Sequence, residues 1–78
     1  MEKELTAAEV RALPVGTKVT VHGHDKYGYP THLPCEIVQR RTGQGKELRY
    51  TTYFDFERME IRAHKGRTFT MEVKEDGM

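Results

Sequence analysis

Apolar and polar residues alternate along most of this chain, which is the period of a half-buried strand. Over 17–23, Val19 and Val21 share one face while Lys18, Thr20 and His22 share the other. Over 33–41, Leu33, Cys35 and Ile37 continue the pattern, and Val38 interrupts it. The glycine-rich TGQGK stretch predicts a turn, and 47–54 is rich in the tyrosine, threonine and phenylalanine that suit a pleated surface. Its expected inward residues are Leu48, Tyr50, Thr52 and Phe54. A last strand over 68–74 places Phe69, Met71 and Val73 on one face, after a short turn at HKGR.

Two segments depart from this period. In LTAAEV, Thr6 can accept from the amide of Glu9 while the Glu9 carboxylate takes the amide of Thr6, and Leu5 and Val10 occupy the positions of a hydrophobic staple. A helix over 7–13 follows, stopped by Pro14. Two turns of helix are unstable alone in water, so Leu5, Val10 and Leu13 must dock on a sheet. In DFERMEIRAHKG, Met59, Ile61 and Ala63 alternate as in a strand, while Phe56, Met59 and Ala63 also fit one helical face, with Asp55 as its cap and Gly66 as its end. The short HKGR connection favours the strand. The expected fold is therefore mainly β: a short N-terminal α-helix followed by a five-stranded, strongly bent antiparallel sheet. The alternative is α+β with a second helix at 56–65.

Length narrows the options to one small domain over 1–78, with 1–4 and 75–78 expected to fray. Composition is 36% hydrophobic and 32% charged, polar but sufficient for a core. Cys35 is the only cysteine, so no internal disulfide staples the domain, and a reducing cytoplasm is its expected location. No apolar run approaches the length of a membrane span, and the acidic opening MEKELTAAE does not read as a signal peptide. No membrane partner is expected.

The stretch LPVGTKVTVHGHDKYGYPTHLPCEIVQ resembles the opening of SH3-like barrels, including the KOW and Tudor groups, with Gly16, Val19, Val21 and Gly23 at the positions of the first strand. The resemblance covers about a third of the chain. It implies a curled barrel in which the loop after the first strand is a contact surface, a role it gives to Tyr27 and Tyr29. The chain has no tryptophan, which argues against polyproline recognition of the SH3 kind. In general style the sequence also resembles small accessory proteins encoded by bacteriophages.

VHGHDKYGYPTH, at 21–32, is the stretch richest in candidate chemistry. On an extended strand His22 and His24 project from one face, with Asp25 and His32 near, and such ligands suit zinc. The spacing lacks the tight ligand pairs of structural zinc sites, so surface histidines are the favoured reading and neither metal nor cofactor is expected. Cys35, within LPCEIV, reads as a core residue rather than a nucleophile, the carboxylates are scattered among basic neighbours, and the GQG of 43–45 lacks the context of a phosphate loop. No catalytic residue emerges, and the chain is not expected to be an enzyme.

Recognition survives. Tyrosine combines large contact area with few rotatable bonds, and Pro30 and Gly28 shape the loop that carries two of them. The favoured expectation is a protein-binding module that uses Tyr27 and Tyr29 with His24, Lys26 and Tyr53. It extends to a phage-type inhibitor of a host or defence protein. The alternative is RNA or DNA binding through Arg40, Arg41, Lys46, Arg49, Arg58, Arg62, Lys65 and Arg67, which with four acids give 40–67 a local surplus of four positive charges within a chain of net charge +1. The near-neutral total favours protein. Oligomeric state is left open, since Tyr53 or an edge strand could serve a self-contact.

Overall fold

The computed structural model describes residues 1–64 and 66–73. The chain begins with strand β1 (Glu2–Leu5), followed by helix α1 (Ala7–Ala12) and strands β2 (Lys18–His24), β3 (Pro30–Gln39), β4 (Lys46–Thr51), β5 (Phe56–Glu60) and β6 (Thr68–Glu72). The strands form one antiparallel sheet in the order β1-β6-β2-β3-β4-β5. Mainly β with one short helix is the architecture the alternation predicted. The segment at 55–65 supplies β5, not a second helix.

Among the described residues the expected five strands become six. Residues 2–4, expected to fray, pair with the last strand in the register Glu2↔Glu72 to Leu5↔Phe69. Glu, Lys and Glu carry no apolar signal, and only the partner strand makes a strand of them.

The inner face collects Leu5, Val10, Val19, Val21, Cys35, Ile37, Leu48, Ile61 and Phe69 into one buried cluster. Leu5 comes from β1 and Ile61 follows β5, the two ends of the strand order. For both to reach one core the sheet must curl. The capping box at Thr6 and Glu9 forms as its sequence demands, with N···O distances of 3.0 and 3.1 Å, and its backbone hydrogen bond holds the exposed Glu9 carboxyl below its ordinary pKa. Val10 is completely buried. Lys46 donates to the carbonyls of Leu13 and Arg11, and Arg11 to the carbonyl of Ile61. These bonds tie the C-terminal end of α1 to both β4 and the chain after β5.

β3 has two partners in succession: it pairs with β2 from Pro30 to Glu36 and with β4 from Glu36 to Gln39. Pro34 falls where β3 has a partner on one side only, where a missing N–H does least harm. Beyond the Glu36↔Arg49 pair, β3 and β4 part, and a groove of about 370 Å³ there is lined by Pro34, Glu36, Arg49, Tyr50 and Thr51, with Lys18 and Glu72 beside them.

Three expected inward residues lie elsewhere. Phe54, Ala63 and Val73 are all exposed, because the strands that would carry their alternation end at Thr51, Glu60 and Glu72. Lys74, the last residue of the expected final strand, and the tail at 75–78 lie outside the described residues.

Candidate binding surface

The loop from Asp25 to Tyr29 joins β2 to β3 and is built around one carboxylate. Asp25 Oδ1 accepts from the amides of Tyr27 and Tyr29 at 2.9 and 3.0 Å. The backbone adds Asp25 N to Tyr29 O at 2.9 Å and Gly28 N to Asp25 O at 3.0 Å. Gly28 makes the reversal with φ of 86°, a conformation that costs little for glycine. With the backbone held this way, the rings of Tyr27 and Tyr29 stand 73% and 69% exposed. Lys26 Nζ lies 5.2 Å from the centre of the Tyr27 ring, a cation–π contact.

A second tip joins β4 to β5. Thr52 N donates to Asp55 O at 2.6 Å, Thr52 Oγ1 donates to the same carbonyl at 2.9 Å, and Asp55 N donates to Thr52 Oγ1 at 3.0 Å. The two residues between, Tyr53 and Phe54, are pushed out to 94% and 92% exposure, and their rings meet edge to face at 4.9 Å. Below the tip Tyr50 donates its phenol proton to Glu57 at 2.8 Å, and this bond, with burial behind it, raises the Tyr50 pKa. On the outer face Arg49 stacks over Phe56, its guanidinium 4.0 Å from the ring centre, with Arg41 at 6.0 Å.

The expected basic surface is divided among other tasks. Lys46 binds the helix carbonyls. Arg58 donates to Glu47 at 2.9 Å and to the Gln39 carbonyl at 3.1 Å, and Arg62 lies 3.5 Å from Glu60. Arg49 covers Phe56, leaving Arg40 and Arg41 exposed before β4. Arg67 lines a second groove, of about 360 Å³, with His24, His64 and Met59. Lys65 lies outside the described residues.

The histidines separate. His24 joins that second groove, while His22 and His32 face each other across β2 and β3 as direct register partners, their Nδ1 atoms 2.7 Å apart. Among the described residues no group of three or more His, Cys, Asp or Glu is placed to hold a metal ion. Cys35 is buried, its thiol pushed up to about 11 by desolvation against the weaker opposing charge of Arg67. Its Sγ donates to the Leu33 carbonyl. No helix among the described residues is long and apolar enough to cross a membrane.

Asp25, Thr52, Asp55 and Phe54 are the residues that sequence reasoning missed as parts of this surface. A signal existed for the first: an aspartate three residues before a glycine in a loop is a common way to satisfy turn amides. For Phe54 the signal pointed inward, because strict alternation ignores a turn that closes after Thr51. A scan against protein-family models gives no match, and neither the search of curated proteins nor that of solved structures finds a match.

Proposed function

We propose that this protein is a non-enzymatic binding module that recognises a protein partner through the aromatic tip between β2 and β3, with the Tyr53–Phe54 tip as a second contact. The observation that carries the reading is the placement of Tyr27, Tyr29, Tyr53 and Phe54 on two hydrogen-bonded turns, 69–94% exposed, while the apolar residues of the inner sheet face fill a core. Exposed aromatic side chains on prearranged backbone are what a hot spot requires, since little ordering entropy remains to be lost on binding. The strand order β6-β2-β3-β4-β5 supports an SH3-like reading, with β1 added beside β6. Occupying a partner's working surface, as a phage-type inhibitor of a host or defence protein would, needs no more than such tips. The buried, protonated thiol of Cys35 supports a binding role over a nucleophilic one and suits a reducing cytoplasm.

The test is capture of partners from host extract by the whole protein and by a Tyr27→Ser/Tyr29→Ser variant. A protein retained by the first and lost by the second, with little dependence on salt, supports the proposal. Equal retention by both removes it. The second reading, nucleic-acid binding, is favoured by Arg49 and Arg41 around Phe56, and would show as recovery of RNA or DNA that falls steeply with added salt.

A further inference from the structure

The groove of about 360 Å³ between β2, β3, β5 and the turn that precedes β6 is lined by none of the four tip aromatics. Its floor is apolar. Val21 of β2 belongs to the buried core, and Leu33 of β3 and Met59 of β5 pack against that core while still facing the groove. Its rim carries donors: His24 at the end of β2, Thr31 on β3, and His64 and Arg67 from the turn. In a chain with 12 acids and 13 lysines or arginines, no carboxylate lines this groove among the described residues. Arg67 is the unusual member. Of the described arginines only Arg58 and Arg67 are half-buried, and Arg58 is matched by Glu47. The Arg67 guanidinium has no ion pair or side-chain hydrogen bond among the described residues, yet its charge reaches the buried Cys35 thiol and opposes the effect of desolvation there. The backbone holds it in place, since Arg67 N donates to His64 O at 3.0 Å and Gly66 takes a φ of 78°. Gly23 keeps the gap open: a Cβ there would stand 3.7 Å from Thr31 Oγ1 and 4.0 Å from the Gly66 carbonyl oxygen.

We propose that this groove binds a small organic carboxylate whose apolar body is about the size of one aromatic ring. The carboxylate meets Arg67, whose planar fork of donors matches two carboxylate oxygens, and the body lies on Val21, Leu33 and Met59, where leaving water is favourable. His24, His64 and Thr31 can each donate a further hydrogen bond without carrying charge. Among the described lining residues Arg67 alone bears a fixed charge, so a monoanion is balanced and a dianionic phosphate is not. The site stands independently of the tyrosine tips, although His24 directly precedes the loop that carries the first of them.

The experiment is NMR titration of the full chain with benzoate, following the methyl signals of Val21, Leu33 and Met59 and the imidazole signals of His24 and His64, with acetate, benzyl alcohol and phenyl phosphate as comparisons. Saturable shifts centred on those groups are expected with benzoate. Acetate lacks the apolar body and benzyl alcohol the charge, so each is expected to bind about tenfold more weakly or worse, and phenyl phosphate no more tightly than benzoate. Arg67→Gln is expected to weaken benzoate about tenfold. Arg67→Lys should lose less, because it keeps the charge and gives up only the fork, and Arg62→Gln should change nothing, since Arg62 lies against Glu60. The titration of the unaltered protein stands even if a variant folds poorly. Absence of saturable shifts, acetate or benzyl alcohol binding as tightly as benzoate, phenyl phosphate binding more tightly, undiminished binding by Arg67→Gln, or shifts centred instead on Arg41, Arg49 and Phe56 would each overturn the proposal.

Discussion

At the tip between β2 and β3 one oxygen of Asp25 takes two amide protons, and Gly28 carries a φ of 86°. At the tip between β4 and β5 the Thr52 hydroxyl and two backbone groups of Asp55 close the turn, with no positive φ at all. Both leave two aromatic side chains in water. The first tip depends on one charged acceptor and one glycine, whereas the second depends on neutral hydrogen bonds and ordinary backbone. The same presentation is thus reached with different vulnerabilities, and those differences can be measured.

The largest effect concerns the partner. Replacing Tyr27 and Tyr29 by serine is expected to cost about 2 kcal/mol or more in affinity, roughly 30-fold, and replacing Tyr53 and Phe54 a similar amount, read by titration against the captured protein. An effect confined to one pair breaks the equivalence and assigns docking to that tip. Next is the backbone. Gly28→Ala is expected to destabilise the fold by about 1–2 kcal/mol in chemical denaturation, because an L residue pays for a left-handed φ even though the added Cβ meets nothing within 4 Å. Tyr53→Ala and Phe54→Ala should each stay within about 0.5 kcal/mol. Smaller than the Gly28 effect are the clamps: Asp25→Ala is expected to cost about 1 kcal/mol and Thr52→Ala about half of that, since water can reach the groups left behind.

The last distinction is pH. Tyr50 donates to Glu57 just below the second tip, which raises its folded pKa above the ordinary value of 10.0. The stability this bond contributes is fully present below pH 10 and is lost as pH rises through the higher folded value. Alkaline titration followed by far-ultraviolet circular dichroism should show a loss that Tyr50→Phe reduces without abolishing, because the buried Cys35 thiol, pushed up to about 11, ionises in the same range, while the first tip, with no such phenol beneath it, supplies no matching step. If Tyr50→Phe leaves the alkaline profile unchanged, the hydrogen bond contributes nothing to stability.

Much of the fold was legible because its signals are local. Thr6 and Glu9 specify a capping box within four residues, and Val19 and Val21 display the period of their strand without help from elsewhere. The candidate tyrosines were legible for the same reason, lying in a loop bounded by glycine and proline. β1 was hidden because Glu2, Lys3 and Glu4 have neither propensity nor pattern in favour of a strand, and their pairing with β6 joins residues far apart in sequence. The basic stretch at 40–67 was legible only as a surplus of charge, because a count of charges does not show that Glu47, Glu60 and the helix carbonyls engage Arg58, Arg62 and Lys46.

By itself, then, the sequence determined the helix at the start, the alternation of the inner strands and the apolar set that fills the core, since each depends on neighbours a few bonds away. Only the tertiary structure decided that β6 lies between β1 and β2, that Phe54 faces water, and that His22 meets His32. Those outcomes depend on register and on where strands end, quantities fixed by the whole sheet at once, because a strand's hydrogen-bonding edge carries no information about which partner will fill it.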